Sequence, residues 1–487
     1  LFSFSQEKYT ISGTISDKQN NETLIGVSVY IPELKAGVNT NEYGFYSLTL
    51  PKGNYTIQIS YVGYSLISES INLNTNLKNN YSLANDENKL EEVVVTGESK
   101  YVNQEIGKIN LSISTIKKMP VVLGEVDVIK SMLLLPGVTS AGEGASGFNV
   151  RGGGADQNLI LMDEATIYNS SHVFGFFSIF NPDAVKDIKL YKGGIPAKYG
   201  GRASSVLDIY QKDGNSNDLH VNGGIGLISS KLLLEGPIVK DKGAFLVAGR
   251  TSYAHLFLKL NEETKDDTAY FYDLNAKLNY KLGENDNVYM SGYFGRDVFS
   301  LADSFTNIYG NATFNARWNH LFSNKLFSNL SFIYSDYFYG FELDFIGFTW
   351  DSNIRNYNIK YDFKNYVSNN LKLDYGVSAI YYDFNPGVIS PNSPDSGINY
   401  FELDKKYAFE PAIYINAEQE ISEKISINYG LRYSMFYRMG TSTVNIYEDN
   451  NPVVFNSDFQ IYEKGTPIAT EFYGKNKTMA SFNNFEP

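Results

Sequence analysis

The sequence predicts a mainly β protein in three parts: an N-terminal β-sandwich, a mixed α/β middle domain, and a long antiparallel run suited to part of a membrane β-barrel. Three observations carry this. Aromatic residues are 15% of the 487-residue chain, as 38 Tyr and 32 Phe beside 2 Trp. Mean hydropathy is nevertheless −0.26, so the aromatics must be spread through amphipathic segments. From about residue 218 onward, apolar and polar residues alternate in one segment after another, the pattern of strands with one lipid-facing and one lumen-facing side.

Bulk properties narrow the classes further. No stretch approaches the roughly 18 apolar residues of a transmembrane helix, whereas a barrel strand needs only about 9 to 11 alternating ones. The absence of Cys removes disulfides, thiolate zinc sites and thiol catalysis. A net charge of −13 speaks against a nucleic-acid partner, which requires clustered Lys and Arg.

The elements follow in order. "LFSFSQ" (1–6) reads as the end of a signal-peptide apolar region meeting its cleavage site, making residues 1–7 a remnant tail; a plain first strand is the alternative. Residues 8–84 hold about seven short alternating segments, among them "YTISGTISD" and "GNYTIQISYVGY", punctuated by Gly, Asn, Asp and Pro, which suits an Ig-like sandwich. Asp17, Asn20, Asn21 and Glu22 lack calcium-loop spacing and read as a solvated turn.

Residues 85–100 are a polar linker interrupted by Glu92, Val93, Val94, Val95, Thr96 and Gly97. The Val-Val-Val-Thr run favours extended backbone, and its charged flanks offer nothing to pack against. It reads as a strand held out to join another protein's sheet edge, with Gly97 letting the chain turn away.

In residues 101–216, "LGEVDVIKSMLLLPGV" (123–138) has helical spacing closed by Pro136 and Gly137. Short strands and glycine turns follow. Asp163 and Glu164, read as strand residues, point to opposite faces and make no catalytic pair. The loop 169–182 gathers His172, Phe174, Phe176, Phe177 and Phe180 around Gly175. Two readings stand for it: an aromatic packing stripe, or a ligand-facing apical loop.

Residues 217–487 alternate short turns such as "GENDN" and "SNN" with longer polar connections such as 386–405, the asymmetry of a transmembrane barrel. About ten strands can be traced before the sequence stops. Too few to enclose a folded domain, they would leave open edges in lipid at several kcal/mol per unpaired group. The expectation is an incomplete record of a larger barrel, lacking its C-terminal part. The catalytic search yields nothing: the four His (172, 220, 255, 320) lack metal-pair spacing, and no nucleophile elbow or phosphate loop is present. No enzyme activity, cofactor or metal is expected.

Two resemblances sharpen this reading. "GVNTNEYGFYSLTLPKGNYTIQISYVGY" resembles the carboxypeptidase-regulatory-like domain, an accessory module that implies no peptidase. "LEEVVVTGE", then "FNVRGGGADQNLILMDEATIY" and "FNPDAVKDIKLYKGGIPAKYGGRASSVLDI", then the Tyr-rich strands, resemble a TonB-dependent outer-membrane receptor, more narrowly the SusC-like group of Bacteroidota.

That resemblance implies a barrel of about 22 strands enclosing a plug, in the outer membrane of a Gram-negative bacterium. It makes 92–97 a TonB box and TonB the energy-transducing partner. It gives Arg151 and Arg202 the role of locking the plug to wall carboxylates, and implies a SusD-like or other surface lipoprotein as a further partner. Glu164 stands where the family has a common Gly, which should reshape a plug turn. The function implied is active import of a glycan, peptide or metal chelate. The alternative is a receptor-like barrel acting as a structural subunit of an outer-membrane assembly or secretion complex.

Overall fold

The computed structural model describes residues 7–86, 107–119, 126–142, 147–302, 304–422 and 425–487. The N-terminal unit is two facing four-stranded sheets. Lys8–Asp17 centres one sheet, antiparallel to Phe45–Pro51 and parallel to Leu77–Lys78 and Tyr81–Leu83. The other runs in the order Ala36–Asn39, Ser28–Ile31, Gly53–Ser60, Ile67–Leu73. Alternation explains the packing: Ile11, Ile15, Val29, Ile31, Leu48, Leu50, Ile57 and Ile59 all point inward and are essentially fully buried.

The middle domain is built on a five-stranded mixed sheet, in the order Ala165–Thr166, Asn158–Met162, Ser205–Gln211, Val185–Tyr191, Lys108–Ser112. Only the pairing of 158–162 with 205–211 is parallel. The segment expected to be helical over 123–138 keeps a helix at Val128–Met132. Asp127 caps it, one carboxylate oxygen accepting from Lys130 N at 2.8 Å and the other from Ser178 N at 2.6 Å. The shortening has a local cause: Leu133–Pro136 continue as turns, where Pro136 forbids further helix.

The third part is one antiparallel sheet of 13 strands, running unbroken from His220–Ile225 to Thr478–Glu486 with Phe401–Glu402 as a short branch. Those two terminal strands are not paired with each other. Its longest members, Phe348–Ser368 and Leu371–Pro391, are 21 residues each. The faces are inverted relative to a water-soluble sheet. Leu274, Leu278, Met290, Phe314, Phe332, Ile359 and Ile413 lie on the exposed face. Asp273, Asn275, Lys277, Asn315, Arg317, Asn319 and Ser331 are buried on the other. This is a wall with lipid outside and a polar lumen inside, as a transmembrane barrel requires.

Short turns at 240–242, 282–285 and 369–370 cluster at one end of the wall, and the long connections 253–267, 392–400 and 440–477 at the other. The sandwich sits at the short-turn end: Asn369 Oδ1 accepts from Thr49 N at 2.9 Å, and Lys78 Nζ donates to Asn285 Oδ1 at 2.8 Å. The Asp17–Glu22 turn, expected to be solvated, is instead packed against the middle domain. Glu22 accepts from Asp213 N at 2.8 Å and lies 3.6 Å from Lys186 Nζ. The reason is charge: a buried lysine on the facing strand draws the carboxylate in.

Candidate functional site

The middle domain meets the inner face of the wall along a polar seam, and the seam's contacts come from three places. The first is the turn joining Asn158–Met162 to Ala165–Thr166. Met162 pairs with Ala165, so Asp163 and Glu164 are the two residues of a tight hairpin, with φ of 46° and 70°. The strand placement expected for them is thereby corrected: they sit in the left-handed region, and both carboxylates leave the sheet's end toward the wall. Asp163 Oδ2 is 3.2 Å from Lys277 Nζ, and its carbonyl accepts from Asn315 Nδ2. Glu164 lies 3.5 Å from Arg317 Nε and 3.6 Å from Lys360 Nζ, and accepts from Ser331 Oγ at 2.5 Å. Burial raises the Glu164 pKa, but Lys360, Arg317 and Ser331 outweigh it and hold the carboxyl down at about 2.

The second place is the loop after this hairpin. His172 is 1% exposed. Its Nδ1 is 2.6 Å from Asp297 Oδ2 and its Nε2 3.1 Å from Asp273 Oδ2. The ring lies flat on Phe271, with centroids 4.1 Å apart. Both nitrogens face carboxylates, so the imidazolium satisfies both while a neutral ring satisfies one. Burial opposes that charge, and Asp297 and Asp273 overcome it, raising the His172 pKa. The neighbouring backbone joins in: Val173 N donates to Asp297 Oδ1 at 2.7 Å and Phe174 N to Tyr309 Oη at 3.0 Å. Arg250 secures Asp273 at 2.6 Å and donates to Ser178 O at 2.8 Å.

The third place is the end of the domain's sheet. Lys277 Nζ donates to Gln211 O at 2.8 Å and pairs with Asp213 at 3.0 Å. Asp183 is held between Lys117 of its own domain and Lys231 of the wall, each at 2.7 Å. Across the seam, then, acidic groups of the enclosed domain meet basic groups of the wall, with His172 the reverse case.

The residues singled out in the sequence are distributed as follows. Glu92 to Gly97 lie outside the described residues. Arg151 (φ 49°) and Arg202 are exposed in their glycine turns, and neither forms an ion pair with a described carboxylate. Arg202 lines a cavity of about 640 Å³ with Glu410, Tyr168 and Tyr382. The aromatic loop divides: Phe180 and Phe177 are buried, Phe174 meets Phe299 edge-on at 5.1 Å, and Phe176 is 54% exposed. Sequence reasoning missed Asp163 and Glu164 as seam residues. A signal was present, since a carboxylate where the related turn carries Gly implies strain that some contact must offset.

A lipid-facing wall with a polar inner face, curved around a globular domain pinned to it by side chains, defines a plugged outer-membrane barrel. The comparisons specify which. Residues 11–95 match the model of the CarboxypepD_reg-like domain, and residues 112–206 that of the TonB-dependent receptor plug domain. A 113-residue stretch is 28% identical to TonB-dependent receptor P3 of Formosa agariphila, spanning 23% of this chain and 11% of that protein.

Among solved structures, the chain is similar to the ferric-catecholate import receptor Fiu of E. coli K12. That match has a TM-score of 0.53 and 13% identity, over 78% of this chain and 66% of that one. It is also similar to the siderophore receptor PirA of Acinetobacter baumannii, with TM-score 0.52 and 16% identity over 72% and 60%. These likenesses show the fold. The chain thus has the architecture of a TonB-dependent receptor of the Gram-negative outer membrane, carrying an N-terminal carboxypeptidase regulatory-like domain. It spans 11% of the curated relative's length and about three-fifths of the solved receptors'.

Proposed function

We propose that the receptor containing this chain imports a nutrient across the outer membrane, driven by TonB pulling on the segment Glu92–Gly97. The observation that carries the reading is the seam. The plug is pinned by hydrogen bonds and ion pairs that water can replace, each worth about 0.5–3 kcal/mol net. Such a stopper is built to be released repeatedly. The cargo class is a glycan, peptide or metal chelate, taken from the long-loop side, and a surface lipoprotein of the SusD-like kind is the proposed partner there. Arg202 and the exposed Phe176 are the plug residues proposed to meet cargo or loosen with it.

Val94 and Thr96 replaced together by Pro remove two main-chain donors that pairing with TonB would use, and should abolish energised uptake while leaving the folded receptor in the membrane. Uptake that survives this double change refutes TonB-driven import. Broad disturbance of other membrane proteins on depletion, with no single nutrient lost, would instead favour a structural subunit.

A further inference from the structure

The sandwich is more than an appendage on the short-turn side. Its Asn41–Gly44 turn enters the barrel mouth beneath the plug, ordered by Asn41 Oδ1, which accepts from Tyr43 N and Phe45 N at 2.9 Å each. At its tip, the Glu42 side chain is 17% exposed. It lies 3.3 Å from Lys189 and 3.7 Å from Lys198 of the plug, and 3.9 Å from Lys364 of the wall. Tyr43 stacks on Phe327 of the wall with centroids 5.2 Å apart, while the Arg317 guanidinium sits 5.3 Å from its ring. Phe45 packs against Phe327 and Tyr366 at 5.9 and 5.8 Å. Phe327 and Tyr366 therefore belong to the sandwich's own apolar core.

We propose that the sandwich is a floor latch: its Glu42–Phe45 tip bridges plug and wall across the short-turn mouth, so the plug cannot leave the lumen until the sandwich has undocked. One carboxylate serves two bodies. Glu42 binds the plug through Lys189 and Lys198 and the wall through Lys364, so moving the plug past the wall must break one side or the other. Burial works against this charge, yet the three ammonium groups hold the Glu42 carboxyl well below the usual carboxylate range. The aromatic half of the tip, Tyr43 and Phe45, is seated on Phe327 and Tyr366 of the wall, which makes the wall the anchor. The latch goes beyond the import reading and does not depend on it.

The absence of native Cys allows a clean test. Thr49 and Asn369 touch across the sandwich–wall junction. The double variant T49C/N369C in the full receptor, bridged by a short bis-methanethiosulfonate that forms a disulfide with each Cys, releases methanesulfinate and is cleaved again by reductant, ties the sandwich to the wall. Purified receptor is placed in a planar lipid bilayer, and the urea concentration at which ionic current appears reports plug release without TonB or cargo. The tethered form should need distinctly more urea than the same protein after reduction, and the reduced form should match the parent.

E42Q keeps the side chain's size and removes its charge, and should release the plug at lower urea. Equal onset in tethered and reduced protein overturns the latch, because the plug then leaves past a docked sandwich. Should the double variant fail to assemble, E42Q decides alone: an onset equal to the parent's overturns the proposal. Failure of TonB-driven import would appear only in the Val94/Thr96 proline variant, so the two outcomes stay distinguishable.

Discussion

Replacing His172 with Ala should loosen the plug's upper fastening more than any other single change there. The variant loses two charge-assisted contacts, at 2.6 Å to Asp297 and 3.1 Å to Asp273, and a ring stacked at 4.1 Å on Phe271. Hydrogen bonds to charged groups contribute about 1.5–3 kcal/mol each and such a stack about 0.5–1.5 kcal/mol. Neither carboxylate is stranded, however, since Arg250 still holds Asp273 and the Val173 amide still donates to Asp297. The net loss is accordingly set at about 2–4 kcal/mol, below the roughly 3–5 kcal/mol of a fully orphaned buried charge. With a urea dependence of about 1–1.5 kcal/mol/M for a domain of this size, the onset of bilayer current should fall by about 1–4 M.

The same contact sets a pH dependence with a definite sign. His172 has a raised pKa in the folded protein, so its stabilisation is complete below the ordinary imidazole value of about 6.5 and is lost as pH rises through the raised value. The charged and titratable groups facing it are Asp273, Asp297, Arg250, Tyr293 and Tyr309. Wild-type urea onset should decline as pH rises above the ordinary imidazole value of about 6.5, and the gap between wild type and H172A should narrow in the same direction. An H172A onset equal to wild type at about pH 6 would refute the charged-imidazole reasoning.

Two further outcomes test the seam and the wall. E164A takes the carboxylate from Arg317, while Lys360 keeps Asp362 at 2.6 Å, and should lower plug stability by about 2–4 kcal/mol. E164G should cost about 1 kcal/mol less, because glycine relieves the left-handed backbone at this turn; comparing the two urea onsets separates strain from charge. On the lipid face, L278R should reduce the heat-resistant folded fraction on gels, the cost reaching about 2–4 kcal/mol if the site lies near the bilayer midplane.

Much of the architecture was legible in the sequence because it rests on short-range pattern. The alternation through 268–281 or 326–343 is visible in any window of ten residues and has one physical reading once both faces are accounted for. The sandwich was legible for the same reason, whereas the helix expected over 123–138 is shorter than its spacing implies and ends at Met132. The seam was not legible. Glu164 meets Arg317 and Lys360, and His172 meets Asp273 and Asp297, across at least a hundred residues of chain, and no local pattern announces a pair so distant.

Charge alone also pointed to different residues. Arg151 and Arg202 stood out in their glycine turns as cations seeking wall carboxylates. In the described seam the ion pairs run mainly the other way, from plug Asp163, Glu164 and Asp183 to wall Lys277, Arg317, Lys360 and Lys231. A tight hairpin at a sheet's end can push short carboxylates directly into a wall of long basic side chains.

The wall's inner face has a consequence for the opened state. Asn275, Asn311, Asn315, Asn319, Asn329 and Asn356 line the surface the plug rests on. Once the plug moves, much of what it uncovers is amide and hydroxyl, beside the Phe271 ring and the small apolar patch of Leu233, Leu246 and Ala248. Water entering behind it meets donors and acceptors along the Asn-lined part of that surface, which limits dewetting and the hydrophobic pull on the plug. The lumen needs no second rearrangement to become a wet conduit. Its lining is already that of a pore, and the plug is only the part of the pore's water that happens to be protein.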